Sequence, residues 1–292
     1  MRVSDSMLYF QSQTNLGGAR DRLAVAQNRA TTGMSVSKPS DDPTAYVKGQ
    51  KESIRANRAE HRQRTISVAV MALQVADSGL SQVTEALQTI QEEVMTAATD
   101  TVSADQRAYV GQVVSALRDQ ILSFANTKSQ GRYLFAGYTD NQQPFSAAGL
   151  YSGHAEARQV EVASGVKLPT GLTGNRVFGA DGGQDIFAAL GALTTALQNN
   201  HVATIRASLD SVDEAQTQVI AARSQIGAYI DSYQVASSVA EETKLQAATH
   251  RSQLVEADAF DSVSQLARAQ RALETAVAVA AQLPVPGLVS SR

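Results

Sequence analysis

Residues 66–97 read ISVAVMALQVADSGLSQVTEALQTIQEEVMTA, and their apolar and alanine positions recur at alternating steps of three and four. This 3.5-residue spacing draws one apolar stripe along a helix, the pattern of a seam with another helix. At 1.5 Å per residue the helix is about 45 Å long, longer than most globular helices. The stripe comprises Ile66, Ala69, Leu73, Ala76, Leu80, Val83, Leu87, Ile90, Val94 and Ala97.

Upstream, residues 4–32 predict a helix with a weaker stripe. The adjacent Gly17–Gly18 should destabilise its interior by about 1 kcal/mol for each glycine. Gly33 can end this helix, and the Ser40–Asp42 segment can cap the next one, with Pro43 at its first position. The stripe comprises Tyr9, Ser12, Leu16, Ala19, Leu23, Ala26 and Ala30.

Downstream, four further helices are predicted. The first has Ser103 as its N-cap and runs to about Ser129, with a stripe at Val110, Val113, Leu117, Ile121 and Phe124. Asp185 can cap Ile186–Leu197, and a longer helix starts near Val202. Its face holds Ile205, Leu209, Val212, Ala215, Val219, Ala222, Ile226, Ile230 and Tyr233. The last helix carries Val255, Val263, Leu266, Leu273, Val277 and Ala280.

The middle of the chain abandons the helical period for glycines and short apolar runs. Tyr133–Phe135, Val160–Val162 and Val177–Phe178 predict short strands. The fold class is therefore mainly α with a small β insert, an elongated antiparallel bundle built from both chain ends. We expect a terminal helical domain made of residues 1–44 and 254–292, and a rod domain made of residues 45–131 and 185–253. The insert, residues 132–184, lies between the two parts of the rod domain in sequence.

Composition and motif searches argue against an enzyme. The 292 residues contain no cysteine, which excludes thiolate chemistry and thiolate metal sites. The histidines lack any partner at metal-ligand spacing, and no phosphate loop, EF-hand loop or serine elbow is present. We therefore predict no catalytic, cofactor-binding or metal-binding residues. The histidines, all expected at the surface, are His61, His154, His201 and His250.

The charge distribution favours protein partners over nucleic acid or membrane. The net charge is −3, and the basic residues on the second helix have no interleaved aromatic residue beyond Tyr46. Two readings stay open: a solvated face, or a stripe that faces acidic groups of a neighbouring subunit. The most apolar stretch, Thr275–Val285, is too short to span a membrane, and the N-terminus has no signal-type apolar core. The basic stripe comprises Lys48, Lys51, Arg55, Arg58 and Arg62, and the candidate acidic partners are Glu241, Glu242, Glu256, Asp258 and Asp261.

Several motifs, in order along the chain, resemble bacterial flagellin-type axial proteins and most closely the hook–filament junction members of that family. The most specific is the Pro-Ser-Asp-Asp-Pro core of residues 39–43. The others are Met1-Arg2-Val3-Ser4, the flanking Thr32–Lys38, Ala125-Asn126, Gly131–Gly137, Pro144-Phe145, Tyr151-Ser152-Gly153, Glu256-Ala257-Asp258 and Gln270. One departure is the terminal helix, which Pro284 and Pro286 interrupt.

The resemblance implies a structural flagellar protein that is exported unfolded without a cleaved signal peptide. It implies an extracellular location at the hook–filament junction and self-assembly through the terminal helices. The implied neighbours are a hook-associated protein on the hook side and flagellin on the filament side, with an export chaperone as a further partner. Two alternatives stay open: a flagellin filament subunit, and a coiled-coil adaptor or signalling module.

Overall fold

The computed structural model describes residues 2–282, and they are mainly helical. The chain forms two compact units: residues up to Arg58 together with those from Thr243 onward (unit 1), and Ala59–Glu242 (unit 2). The helices are α1 (Arg2–Thr32), α2 (Pro43–Ala97), α3 (Ala104–Ala125), α4 (Gly174–Phe178), α5 (Ile186–Gln198), α6 (Val202–Val255) and α7 (Ala259–Gln282), with a 3₁₀ turn at Ala180–Gly182. The strands are β1 (Lys128–Ser129), β2 (Arg132–Tyr133), β3 (Gln159–Ala163) and β4 (Val166–Pro169).

Polar side chains cap the helices where the sequence predicted. Ser103 and Gln106 form a reciprocal capping box at the start of α3. The carboxylate of Asp185 accepts from the backbone N–H of Ala188 at 2.9 Å and caps α5. Gly33 follows α1 with φ +67°, which a glycine adopts without strain, and its N–H donates to the carbonyl of Arg29.

The apolar stripe of α2 forms the centre of the core of unit 2. Every stripe residue from Ile66 to Ala97 is at most 3% exposed, and all belong to one contiguous buried cluster. The same cluster takes in residues of α3, α5, α6 and the insert. At 25 cal/mol per Å², each large aliphatic side chain contributes about 1.5–3 kcal/mol here. The predicted seam is confirmed.

Side-chain contacts establish that α6 runs antiparallel to α2. Arg206 pairs with Asp100 at 2.8 Å just beyond the end of α2, and Arg223 pairs with Asp77 at 3.1 Å further back along it. The predicted face of α6 is buried or half-buried throughout. On α3, the prediction is wrong at one position, because Val114 is fully buried where Val113 was expected. The helix also ends at Ala125 instead of about Ser129.

The insert contains two separate antiparallel pairs, β1 with β2 and β3 with β4. The strand predicted at Val160–Val162 lies within β3 and is confirmed. Of the strand predicted at Tyr133–Phe135, Tyr133 alone lies in a strand, β2. The predicted strand at Val177–Phe178 is wrong, since both residues lie in α4. Their apolar pattern reflects complete burial, which a two-residue run cannot assign to strand or helix.

Aromatic rings join the insert to the helices of unit 2. Phe178 is fully buried, with ring centroids 5.3, 5.7 and 5.9 Å from those of Phe135, Phe145 and Phe187, respectively. The hydroxyl of Tyr151 donates to the carbonyls of Phe135 and His154. Because Phe135 and Phe145 come from the insert and Phe187 from α5, this cluster orients the insert on the helices.

Candidate assembly surfaces

In unit 1, helices α1 and α7 pack against each other along one thin seam. Among the α1 and α7 residues whose side chains the structure describes (7–32 and 259–282), only Ala19, Ala26 and Ser262 are buried. The other members of the predicted α1 stripe are half-buried, and the guanidinium of Arg29 donates to Gln265 Oε1 at 3.5 Å. Small residues allow a close approach but bury little area, so this pair gains little stability from its own seam.

Large apolar side chains of this helix pair face outward. Phe260 is 85% exposed, Met7 73% and Phe10 68%. Val263 and Val277 of the last helix are also more than 45% exposed. The three most exposed of these side chains, Phe260, Met7 and Phe10, mark apolar surface on this helix pair that a partner can cover.

A second feature of unit 1 is a clasp between the connector after α1 and the end of α6. The backbone N–H of Ser35 donates to the carbonyl of Val255 at 2.9 Å, and that of Ala257 donates to the carbonyl of Gly33 at 2.9 Å. Met34 and Glu256 form an isolated β-bridge between them. The clasp joins the N-terminal connector to the C-terminal segment, although these are more than 200 residues apart in sequence.

The Pro-Ser-Asp-Asp-Pro core supplies two carboxylates to this connector. Asp41 accepts from the backbone N–H groups of Ser37 and Lys38 at 3.0 and 3.2 Å. Asp42 accepts from the backbone N–H groups of Thr44 and Ala45 at 2.9 Å each, which caps α2 at Pro43 as predicted. The motif therefore has a structural reason: one carboxylate closes the turn, and the next begins the helix.

The charge on Asp41 should make the connector sensitive to acid. Hydrogen bonds from the Ser37 backbone, with further donation from Lys38 and the Ser37 hydroxyl, hold the pKa of Asp41 below its ordinary value of 3.8. A lowered folded-state pKa stabilises the turn above the unfolded pKa, and this support is lost as pH falls through the folded pKa. We expect the protection factors of the Ser37 and Lys38 amides, which correct for the intrinsic pH dependence of exchange, to fall below about pH 4. In Asp41→Asn the protection factors of both amides should be low at every pH, and a variant that keeps the acid-dependent loss of protection would contradict the assignment.

The clasp also leaves no room for a side chain at Gly49. A Cβ there would lie 2.6 Å from Val255 Cγ1. We expect Gly49→Ala to destabilise unit 1 by about 1–3 kcal/mol, because overpacking outweighs the gain in helix propensity. The matched control is Gly18→Ala, which meets nothing within 4 Å and should stabilise α1 by about 0.5–1 kcal/mol. Urea denaturation followed by circular dichroism compares the two, and a stabilised Gly49→Ala would disprove the steric account.

The basic stripe on α2 lies mainly at the surface. Lys48, Lys51, Arg55 and Arg58 are exposed, and Arg55 forms a 3.7 Å ion pair with Glu52 one turn away. Such exposed pairs contribute about 0.2–1 kcal/mol and leave the charge available to a partner. The geometry is compatible with both readings, and contact with a neighbouring subunit stays a prediction.

Histidine and carboxylate side chains are the candidate groups for catalysis or metal binding. All four histidines are exposed, as predicted. Within residues 2–282 there is no group of three His, Asp or Glu side chains able to hold a metal ion. Among residues 2–282, α2 is the one helix long and apolar enough to cross a membrane. Its apolar stripe is buried in the core of unit 2, and this burial accounts for the apolar composition of the helix. The absence of catalytic, cofactor, metal and membrane roles stays a prediction.

Comparison with known proteins gives matches along the whole chain. The family of bacterial flagellin N-terminal helical regions matches residues 3–140. Flagellar hook-associated protein 3 of Salmonella typhimurium is 28% identical over 300 residues, covering 94% of each chain. The protein of the same name from Escherichia coli is 29% identical with the same coverage.

Two further similarities are to a solved structure and to a flagellin. The solved structure of a putative flagellar hook-associated protein from Vibrio parahaemolyticus has a TM-score of 0.68 at 22% identity, covering 74% of this chain and all of that one. It shows the fold. A flagellin of Aquifex aeolicus is 27% identical over 147 residues, half of this chain and 27% of the flagellin. The matches confirm both the fold class and the resemblance inferred from the motifs: the chain is similar to bacterial flagellin N-terminal helical regions over residues 3–140 and to flagellar hook-associated proteins over 94% of its length.

Proposed function

We propose that this protein is a structural subunit of the bacterial flagellum that joins hook to filament and polymerises through its terminal helices. The observation that carries the proposal is the α1–α7 pair: among its described side chains (7–32 and 259–282), those that are buried are small, while Phe260, Met7 and Phe10 are exposed. Helices that bury so little area within their own unit gain their remaining stability from neighbours. Residues 1–44 and 254–292 would form this polymerising part, with 45–131 and 185–253 as the rod and 132–184 as an outward insert.

Sequence similarity to known proteins supports a position at the hook–filament junction over one in the filament. The relatives matched over 94% of both chains are named hook-associated proteins, whereas the flagellin shares only half of this chain. A coiled-coil adaptor would not require the clasp and the Pro-Ser-Asp-Asp-Pro turn that order the connector. In the proposed role the chain has no catalytic activity. It is exported without a cleaved signal peptide and contacts a hook-associated protein on one side and flagellin on the other. An export chaperone would hold it beforehand.

Deletion of the protein from its bacterium tests the position. We expect cells that keep hooks, lack filaments and release flagellin into the medium. A full-length copy should restore filaments, whereas a copy lacking residues 259–282 should not, because it has lost one helix of the proposed polymerising pair. Filaments that persist without the protein would disprove the junction role. Loss of both hooks and filaments would place the protein earlier in assembly.

The intact protein should also occur in appendages sheared from cells. Immunodetection of the sheared fraction, with a cytoplasmic enzyme as the lysis control, distinguishes an axial component from an adaptor. An adaptor would stay with the cell body. Labelling restricted to one end of each isolated filament is expected for a junction protein, whereas labelling along the filament would favour the flagellin alternative.

A further inference from the structure

Unit 2 contains a cavity of about 420 Å³ between residues 64–72 of α2 and the insert. Its walls are mainly apolar and include Val68 and Ala72 from α2 and Leu134, Val160 and Leu172 from the insert. Val68 is 46% exposed and therefore accessible to solvent. A cavity of this size and composition can take one large apolar side chain with part of its backbone.

Arginines surround this cavity. Arg132 and Arg158 both pair with Asp140, at 2.9 and 2.8 Å, and Arg64 pairs with Glu60 at 3.0 Å on the surface of α2. The side chains of the three arginines are 58%, 41% and 64% exposed, respectively. The carboxylate of Asp140 is shared between two guanidinium groups, so the rim keeps an excess of positive charge. An occupant that is apolar at its centre and acidic at its edges is complementary to such a site.

Unit 1 presents a segment with that chemistry. Phe260, at 85%, is the most exposed large apolar side chain among residues 7–282, and Asp258 and Asp261 flank it. The Asp258 carboxylate caps α7 through the backbone N–H groups of Phe260 and Asp261 at 2.8 and 3.1 Å, so the position of the ring relative to both carboxylates is set by the cap. Within residues 2–282 neither aspartate forms an ion pair with Lys or Arg.

We propose that Phe260 of one copy inserts into the α2–insert cavity of a second copy, with Asp258 and Asp261 against the arginine rim. The inference rests on the proposed self-assembly and names the surfaces that would carry part of it. An aromatic anchor in a pocket surrounded by charge is the usual centre of a specific interface. Phe260 and the α2–insert cavity are different surfaces of the same chain. The contact is therefore heterologous and propagates from copy to copy.

Site-specific photocrosslinking in assembled flagella tests the contact. The photoreactive amino acid benzoylphenylalanine replaces Phe260 in a copy with one affinity tag, while the same cells express an unaltered copy with another tag. After illumination of sheared flagella, we expect a crosslinked species with both tags, mapped to the peptides of the cavity wall around Val68 or Leu134. The matched control places the probe at Tyr109, which is 67% exposed and should not reach that wall.

Each outcome distinguishes the pairing from the proposed function. Crosslinks that map elsewhere, that contain one tag only, or that fail to form while the protein is present in the sheared flagella would overturn the pairing and leave the structural role intact. Absence of the unaltered protein from sheared flagella would overturn the proposed function and the pairing with it.

A charge exchange tests the rim. We expect Asp261→Arg or Arg132→Asp alone to lower the number of filaments per cell about tenfold, and the double exchange to restore it to within about twofold of the unaltered protein. Arg132 is chosen because the Arg158–Asp140 pair survives its loss. The control is Lys167→Asp, an exposed reversal on β4 away from the cavity lining, which should leave filaments unchanged. Equal loss in the single and double variants, with unchanged thermal unfolding, would overturn the pairing.

Discussion

Phe178→Ala is expected to destabilise unit 2 by about 3–5 kcal/mol, the usual cost of removing a buried phenylalanine. The ring is fully buried and contacts three other rings at 5.3 to 5.9 Å, so its removal leaves a cavity and cancels three aromatic contacts. For a unit of this size the loss should lower the melting temperature by roughly 10 °C. Thermal and urea unfolding followed by circular dichroism measure it.

The same substitution at Phe260 provides the control. Because that ring is 85% exposed, Phe260→Ala should change the free energy of unfolding by less than about 0.5 kcal/mol. It should instead impair assembly, since the exposed ring is the proposed anchor. Similar destabilisation by both substitutions would contradict the burial argument. Wild-type stability in Phe178→Ala would show that the aromatic cluster does not hold the insert on the helices.

Arg107→Ala is expected to destabilise unit 2 by about 3 kcal/mol, the cost of leaving buried acceptors without donors. Arg107 is 4% exposed, and its guanidinium donates to the carbonyls of Ala97 and Thr99 at 2.9 and 2.7 Å and to Asn200 Oδ1 at 2.6 Å. The two carbonyls lie at the C-terminal end of α2, where the helix dipole favours a cation. Arg107 thus joins the α2–α3 turn to Asn200 in the short connection between α5 and α6.

Two variants separate hydrogen bonding from packing at this site. Arg107→Met keeps the length of the stem but has no donors, so we expect nearly the full loss. Arg107→Lys keeps the positive charge but lacks the planar guanidinium, so it should recover about half of the lost stability. A methionine variant as stable as the parent would disprove the role of the donors. As an exposed comparison, Arg206→Ala should cost less than about 1 kcal/mol, because its Asp100 partner is 82% exposed.

Long helices and caps were predictable because their signals are local. The α2 stripe repeats over ten positions, and every one of them is buried. Ser103, Asp185 and Asp42 mark helix starts because their side chains accept hydrogen bonds from backbone N–H groups two or three residues further on, so their roles do not depend on the rest of the chain. Predictions failed where the signal was short. Val177–Phe178 is a two-residue apolar run, too brief to distinguish strand from helix.

Residues that act across the chain escaped prediction. Gln218 on α6 donates to the carbonyls of Val177, Gly179 and Gln184 and accepts from the Gln184 N–H, which fixes the loop before α5. Nothing in the sequence distinguishes it from an exposed glutamine. The arginines of the cavity rim had no local signal either, because Arg64 and Arg132 are 68 positions apart and meet only through folding.

The amino-acid sequence by itself determined the helical class, the extent of the seam, the caps and the resemblance to flagellar axial proteins. All of these depend on periodicity, on backbone bonds within one turn, or on motifs read in order. Only the tertiary structure decided which apolar residues stay exposed. Val263 and Val277 fit a helical stripe as well as any residue of α2, yet they are 62% and 48% exposed. Periodicity places a side chain on a face, and burial requires a second surface to cover that face.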